Sequence, residues 1–262
     1  MNASASKVSL DHVVFYAGTD LPALCRQFEA LGFFLTPLGH HDSGSINRLV
    51  ILDGAYIELI GFEAGVSPGI RPELQAQAPG LNALAFRDGP GGPPAARPAG
   101  AFRAPLNLAR PVTSGKASGV ARFRTTTMTE ALQNFRVFLC EHLTPEWVWR
   151  PEWQAHANGA QRIERIRVGA TEAARLRASI GAVMGYATDQ GDSFIAGNCT
   201  IDVVAAHDAA SCLVVSTSDI EAAAQRVQAA GLAATRAPEA LARLSVQLPP
   251  PAACELVFVQ RS

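Results

Sequence analysis

The chain has 262 residues, 48% of them hydrophobic and 17% charged, and a formal net charge of −1. That is the profile of a globular protein with one large domain or two ordinary ones. No basic block exceeds a few residues and no apolar run approaches the ~20 residues a membrane span needs, so neither nucleic acid nor a membrane is expected as a partner. The opening MNASASKVSL lacks an apolar core for a secretory signal. The five cysteines (Cys25, Cys140, Cys199, Cys212, Cys254) are odd in number and never spaced as CxxC, so we expect a reduced, cytoplasmic protein without disulfides or a zinc knuckle.

The first segment reads strand, helix, strand, strand, strand. VSLDHVVFYAG (8–18) is β-branched and aromatic; Asp20 then offers an N-cap, with Pro22 in the first turn. Leu24, Phe28 and Leu31 recur at helical spacing, and Gly32 stops the helix. FFLTPL (33–38) is expected as a short strand and GHHDSGS (39–45) as a loop, before a hairpin of INRLVILD and AYIELIGF about Gly54. GLNALAFRD (80–88) opens a second module. Its helix position is taken by GPGGPPAARPAG (89–100), too rich in Pro and Gly for more than one short turn near Pro94–Arg97. AFRAPLNL, GVARFRTTTM and NFRVFLCEH follow as strands, and the polar stretch 151–159 as a linker.

Beyond it, AQRIERIRVGA (160–170), a helix over 171–181 and strands near 193–204 make a third module. The last segment repeats the first, with Asp219 on Asp20, Gly231 on Gly32, Arg243 on Arg48 and Glu255 on Glu58. We expect an α+β protein of four tandem βαβββ modules paired into two half-barrel cups, divided as 1–155 and 156–262.

Strand alternation puts Leu10, His12, Val14 and Tyr16 on one face of the first strand and Tyr56, Glu58, Ile60 and Phe62 on one face of the fourth. A carboxylate among such neighbours is costly to bury unless paired or metal-bound. His and Glu on adjoining strands are suitable ligand types for a divalent cation. A lone strand His is also often a packed, hydrogen-bonded residue, and a lone Glu often faces water.

LDHVVFYAGTD, FEALGF, HHDSGSINRLVIL and AYIELIGF (within 10–62), with EHLTPEWVWRPEWQAHANGA (141–160), resemble the vicinal oxygen chelate superfamily and, within it, bacterial glyoxalase-like domain proteins. The resemblance implies a metal held by first- and fourth-strand residues of paired modules: His12, Glu58 and, near the second fourth-strand slot, His142. The second first-strand slot falls at Asn82 or a neighbour. A set of two His and one carboxylate would take Fe, Mn, Zn or Ni. It departs from glyoxalase I, which has a second carboxylate where His142 stands. In the second half Ser211 takes the His12 slot and Glu255 the Glu58 slot, so that half is expected to be structural.

His40 and His41 are either lid residues or solvated loop residues, and Arg48 either holds a substrate oxygen or pairs with a surface acid. Tyr56, Trp147 (with Trp149 and Trp153) and His156 are candidates to line a substrate pocket. The implied function is a metal-dependent enzyme for a small vicinal-oxygen molecule, through isomerase, lyase or Fe(II) dioxygenase chemistry. The alternative is a non-catalytic ligand-sequestering protein of the bleomycin-resistance type, or a scaffold. A homodimer is allowed but not required. GxSxG, P-loop, GxGxxG and HExxH motifs are absent.

Overall fold

A computed structural model describes residues 8–66, 74, 77–94, 97–186, 191–236 and 242–261. Module one comprises β1 (Val8–Tyr16), α1 (Leu21–Ala30), β2 (Gly39–His40), β3 (Ile46–Ile51) and β4 (Tyr56–Gly61). Module two comprises β5 (Gly80–Asp88), β6 (Leu106–Ser114), β7 (Ala117–Thr127) and β8 (Arg136–His142). Module three has β9 (Ala160–Ala170), α2 (Ala173–Met184), β10 (Ser193–Ala196) and β11 (Cys199–Ala205). Module four has β12 (Cys212–Thr217), α3 (Ile220–Ala229), β13 (Ala234–Thr235), β14 (Arg243–Gln247) and β15 (Glu255–Gln260).

The first two modules form an eight-stranded sheet in the order β2-β3-β4-β1-β5-β8-β7-β6, and the other two a seven-stranded sheet in the order β10-β11-β9-β12-β15-β14-β13. In each sheet the opening strands of its two modules meet antiparallel at the centre, and each opening strand runs parallel to the last strand of its own module. The first sheet curls until its edges approach, with Asp42 N donating to Ala109 O at 3.4 Å. This is the α+β fold of tandem βαβββ modules. Among the described residues module two lacks its helix and module three lacks one strand.

One apolar core spans both sheets and α1–α3: Val13, Phe15, Ile57, Leu84 and Phe86 of the first sheet share it with Phe28 of α1, Ile180 of α2, Val227 of α3 and Leu213 and Phe258 of the second. Such packing leaves the opposite face of each sheet for a site. A second apolar cluster lines that face of the first sheet, and includes Val14, Tyr16, Tyr56, Ile60, Ala83, Phe138 and Cys140. The alternation on β4 is as expected, but Leu10 joins the helix-side core rather than His12, because the β1–β5 register slips between Leu10 and His12.

Other local differences have physical causes. Residues 33–38 form no strand; Leu49 N donates to Thr36 Oγ1 and Thr36 N to Leu49 O, so the segment is pinned to β3 by single bonds, and pairing starts at Gly39. Gly181 does not end α2; the helix runs to Met184 and stops at Gly185, whose φ of 70° is left-handed. Asp219 caps α3 by accepting from Ala222 N at 2.9 Å, whereas Asp20 makes no side-chain cap bond to α1. The expected turn near Pro94–Arg97 includes residues 95 and 96, which lie outside the described residues, as does the start of the chain through residue 7. All five cysteines are buried and unpaired, and no described helix is long and apolar enough to cross a membrane.

Candidate active site

The slip in β1 is a β-bulge, and the extra residue it accommodates is Asp11: Leu10 pairs with Phe86 and His12 with Ala85, leaving Asp11 unmatched. Asp11 is fully buried, yet its carboxylate is surrounded by donors. His12 Nδ1 lies 2.6 Å from Oδ1, His142 Nε2 lies 3.0 and 3.1 Å from the two oxygens, and Arg87 Nη1 donates to Oδ2 at 3.2 Å. Burial pushes this carboxyl's pKa up, but the charge of His142 and the bonds from both histidines outweigh it and hold it well below the usual carboxylate range.

An ionised Asp11 accepts a hydrogen bond from His12 Nδ1, which fixes the ring and turns its Nε2 to the cavity side. Nε2 faces Glu58, with Oε2 at 3.7 Å. The other Glu58 oxygen accepts from Asn47 Nδ2 at 2.6 Å, and Tyr56 stacks on the His12 ring with centroids 4.4 Å apart. These groups stand at one side of a cavity of about 50 Å³ that His41, Leu108, Arg110, Phe123, Thr125, Thr127, Arg136, Phe138 and Cys140 complete.

Strand pairing identifies the counterparts of His12 and Glu58 in module two. His12 pairs with Ala85 and Val14 with Ala83 across the central pair; Val14 pairs with Glu58, and Ala85 with Phe138, in the two outer pairs. Exchanging the modules therefore maps His12 onto Ala83 and Glu58 onto Phe138, neither of which is a ligand. His142 lies beyond Phe138 at the end of β8, where it binds Asp11 and packs against Phe123 and Trp149. It is thus aligned behind His12 rather than opposite Glu58. Asn82 is the bulged residue of β5, buried and away from the cavity.

The remaining candidates divide. Tyr56 and His41 line the cavity. Arg48 turns to the helix face, where it donates to Glu29 Oε1 of α1 at 2.5 Å and to Thr36 O at 2.8 Å, so it is a packing residue because its neighbours Asn47 and Leu49 take the cavity face. His40 is exposed, with Glu63 at 3.8 Å. Trp147 packs flat over Gly119, where a Cβ would come within 2.1 Å of the indole, and Arg150 covers it. It holds the 145–153 segment on β7 and does not line the cavity. His156 is likewise structural: Phe34 N donates to Nδ1 at 3.0 Å, Nε2 donates to Ile51 O at 2.9 Å, and burial lowers its pKa.

Sequence reading missed Asp11, Cys140 and Arg110. Strict alternation sends Asp11 to the helix side, and nothing in the sequence announces the bulge. Arg110 was legible: it interrupts the apolar face of Leu108 and Val112 on β6, a strand the sequence reading ended at residue 108.

A divalent cation fits part of this set. Ligand atoms bonded at about 2.0–2.2 Å to one ion sit about 3–3.6 Å apart, close to the 3.7 Å between His12 and Glu58. Asp11, His12 and Cys140 also offer ligand atoms within 4.8 Å of one another. Because the Asp11 oxygens already serve two histidines and Arg87, Asp11 suits orientation of His12 better than ligation. Burial pushes the Cys140 thiol well up, with Asp11 and Glu58 adding to the effect, so it is a protonated thiol unless a cation displaces the proton.

Two sheets of paired βαβββ modules, the first curled into a cup with a histidine and a carboxylate on adjoining strands, define a protein of the vicinal oxygen chelate type. A family model described as a glyoxalase-like domain matches residues 10–184, and the chain belongs to that family. Solved structures agree on the fold. A hypothetical protein from Staphylococcus aureus superposes with a TM-score of 0.60 at 12% identity, covering 97% of this chain and 100% of that one. A mutant of 4-hydroxymandelate synthase from Streptomyces coelicolor gives 0.58 at 14% identity, covering 98% and 93%. A xylose isomerase-like TIM barrel/4-hydroxyphenylpyruvate dioxygenase fusion protein gives 0.58 at 15% identity, covering 98% of this chain and 50% of that one. No curated protein matches significantly.

Proposed function

We propose that the first cup is a metal-dependent active site for a small oxygen-bearing molecule, with His12 and Glu58 as the cation's ligands and Cys140 beside them as the third donor. The observation that carries this reading is Nε2 of His12 facing Glu58 at 3.7 Å on the wall of the cavity. When bound, the cation would supply Lewis-acid stabilisation of negative charge developing on a substrate oxygen. The chain's own residues do the rest. Asp11 fixes the ring and tautomer of His12, and Asn47 fixes the rotamer of Glu58. Tyr56, Phe123 and Phe138 keep the site apolar, which strengthens every charge interaction inside it. His142 is a positioning residue through Asp11 rather than a ligand. A mixed N, O and S donor set is compatible with Fe, Mn, Zn or Ni, and the site is compatible with isomerase, lyase or dioxygenase chemistry.

The apolar residues in the two counterpart slots, Ala83 and Phe138, support a second reading as a ligand-sequestering protein without metal. Elemental mass spectrometry of untagged wild type and Glu58→Ala separates the two. Near-stoichiometric metal in the wild type, lost in the variant, is expected. Metal-free protein after anaerobic loading with Fe(II), Mn(II), Zn(II) and Ni(II) would overturn the metal reading and leave the second.

A further inference from the structure

Arg110 stands mid-strand on β6, on the face turned to the cavity, and is 2% exposed. Among the described residues no acceptor reaches its Nε or Nη2. Burial lowers its pKa, while Tyr56 and Glu58 act the other way. A guanidinium nonetheless stays protonated in a protein, so this is a buried cation whose hydrogen-bonding edge is open. Leaving such a group unmatched is costly, and structures retain that cost where a ligand supplies the missing partner.

Its surroundings show accommodation of the guanidinium rather than neutralisation. Gly39 lies so close that a Cβ there would be 2.6 Å from Arg110 Nη1 and 2.7 Å from Asn47 Oδ1. Asn47 commits its amide nitrogen to Glu58, and its Oδ1 is buried with no partner among the described residues. Among the described residues the cavity wall thus carries unmatched donors on Arg110 and an unmatched acceptor on Asn47, and Arg136 also lines it. About 50 Å³ holds a few water-sized groups, which suits a small molecule and not a nucleotide or a peptide.

We propose that the ligand of this cavity is a small hydroxycarboxylate, its carboxylate paired with the Arg110 guanidinium and its hydroxyl donating to Asn47 Oδ1. A planar carboxylate matches the two open N–H directions of a guanidinium as a parallel pair of charge-assisted bonds. A monoanion also matches the single charge of the guanidinium whose Nε–Nη2 edge is open. The inference deepens the proposal that this cup is the ligand site, and it does not require the metal.

The test is thermal stabilisation by lactate and by inorganic phosphate of wild type, Arg110→Met and Arg110→Lys, each before and after removal of metal by chelation. At ten times its dissociation constant, lactate should raise the wild-type melting temperature by ~3 °C. The rise should fall below ~1 °C in Arg110→Met, with the ligand-free variant melting at or above the wild type because a buried unmatched charge has gone. Should Arg110→Met fail to fold, Arg110→Lys decides, since it keeps the charge but loses the paired geometry: a rise at least halved supports the proposal, and an undiminished one overturns it. Equal stabilisation of wild type and Arg110→Met, stabilisation by phosphate alone, or none by lactate with or without metal each overturns it. An Arg110-dependent rise that survives chelation in a protein found to hold no metal sustains this inference while the metal reading fails.

Discussion

The two cups of this molecule share one wiring, so the contrast between them shows what a site needs beyond the fold. In the second sheet Val214 pairs with Arg165 and the register slips before Val215, as Val14 pairs with Ala83 and slips before Phe15 in the first. Through these pairings His12, Glu58, Ala83 and Phe138 correspond to Cys212, Val257, Arg165 and Asp202. The second set is matched internally: Arg165 donates to Asp202 at 2.6 Å, and next to it Arg167 donates to Glu255 at 3.1 Å. Size differs as well. The hairpin that covers the first cup has strands of 9 and 11 residues, whereas β10 and β11 have 4 and 7 and cannot wrap a cavity. Among the described residues the first cup leaves donors of Arg110 and the Oδ1 of Asn47 unmatched, whereas the charged groups in and beside the second cup's slots pair with one another. Unmatched polar groups on the wall of a cavity, rather than the shared wiring of the sheets, separate the two cups.

The sharpest way to break this comparison is to remove the group that organises the first cup. Asp11→Ala leaves His12, His142 and Arg87 facing a void where a fully buried carboxylate stood. We expect a loss of about 3–5 kcal/mol in denaturant unfolding, as for other buried charged groups deprived of a partner, together with loss of bound metal. A cost below about 1 kcal/mol would show that Asp11 does not organise the cup.

A smaller effect tests the register itself. If Phe138 occupies the fourth-strand slot opposite Glu58, Phe138→His places a third imidazole in the cavity, beside a ring it already meets edge-on at 5.5 Å. Tighter metal binding, by about tenfold or more, equivalent to about 1.4 kcal/mol, is expected in competition with a chelator. The matching change at Asp202→His in the second cup should produce no site, and metal binding there instead would dissolve the distinction between the cups.

A third effect concerns the junction between the halves, where His156 ties the linker to Phe34 and Ile51. Burial holds its pKa below the ordinary histidine value, so protonation favours the unfolded chain. Stability is therefore full above pH ~6.5 and declines as pH falls below it, by at most ~1.4 kcal/mol per pH unit until the folded pKa is reached. His156→Gln, which can still donate and accept, should flatten that slope between pH 6.5 and 5. An unchanged slope would assign the acid sensitivity to other groups.

The architecture was legible because it rests on periodicity: β-branched runs, Asp219, Gly32 and Gly231 mark elements whose spacing repeats. The site was legible only where alternation held, as for Tyr56 and Glu58 on β4. It failed at the bulges, because one inserted residue reverses every side chain beyond it. Asp11 was hidden that way, and the same kind of offset led Ser211 to be matched with His12 where the pairing places Cys212, with Glu255 in the position of Tyr56. His142 was misplaced for a related reason. Without a helix in module two to anchor the count, the slot slid along β8 from Phe138 to the next metal-competent residue.

The weakest expected effect is also the most direct control on the comparison. Arg165→Gln removes one partner of the pair that occupies the second cup's slots, but its side chain is 54% exposed and Asp202 keeps its bond from Ser193. Exposed pairs contribute about 0–1 kcal/mol, so unfolding should shift by less than about 0.5 kcal/mol, and neither metal content nor lactate stabilisation should change. A large loss of stability would mean that the pair carries structure which its exposure does not suggest. A change in ligand binding would mean that the second cup is a site after all, and that internal matching of charges is not what separates a retained site from a lost one.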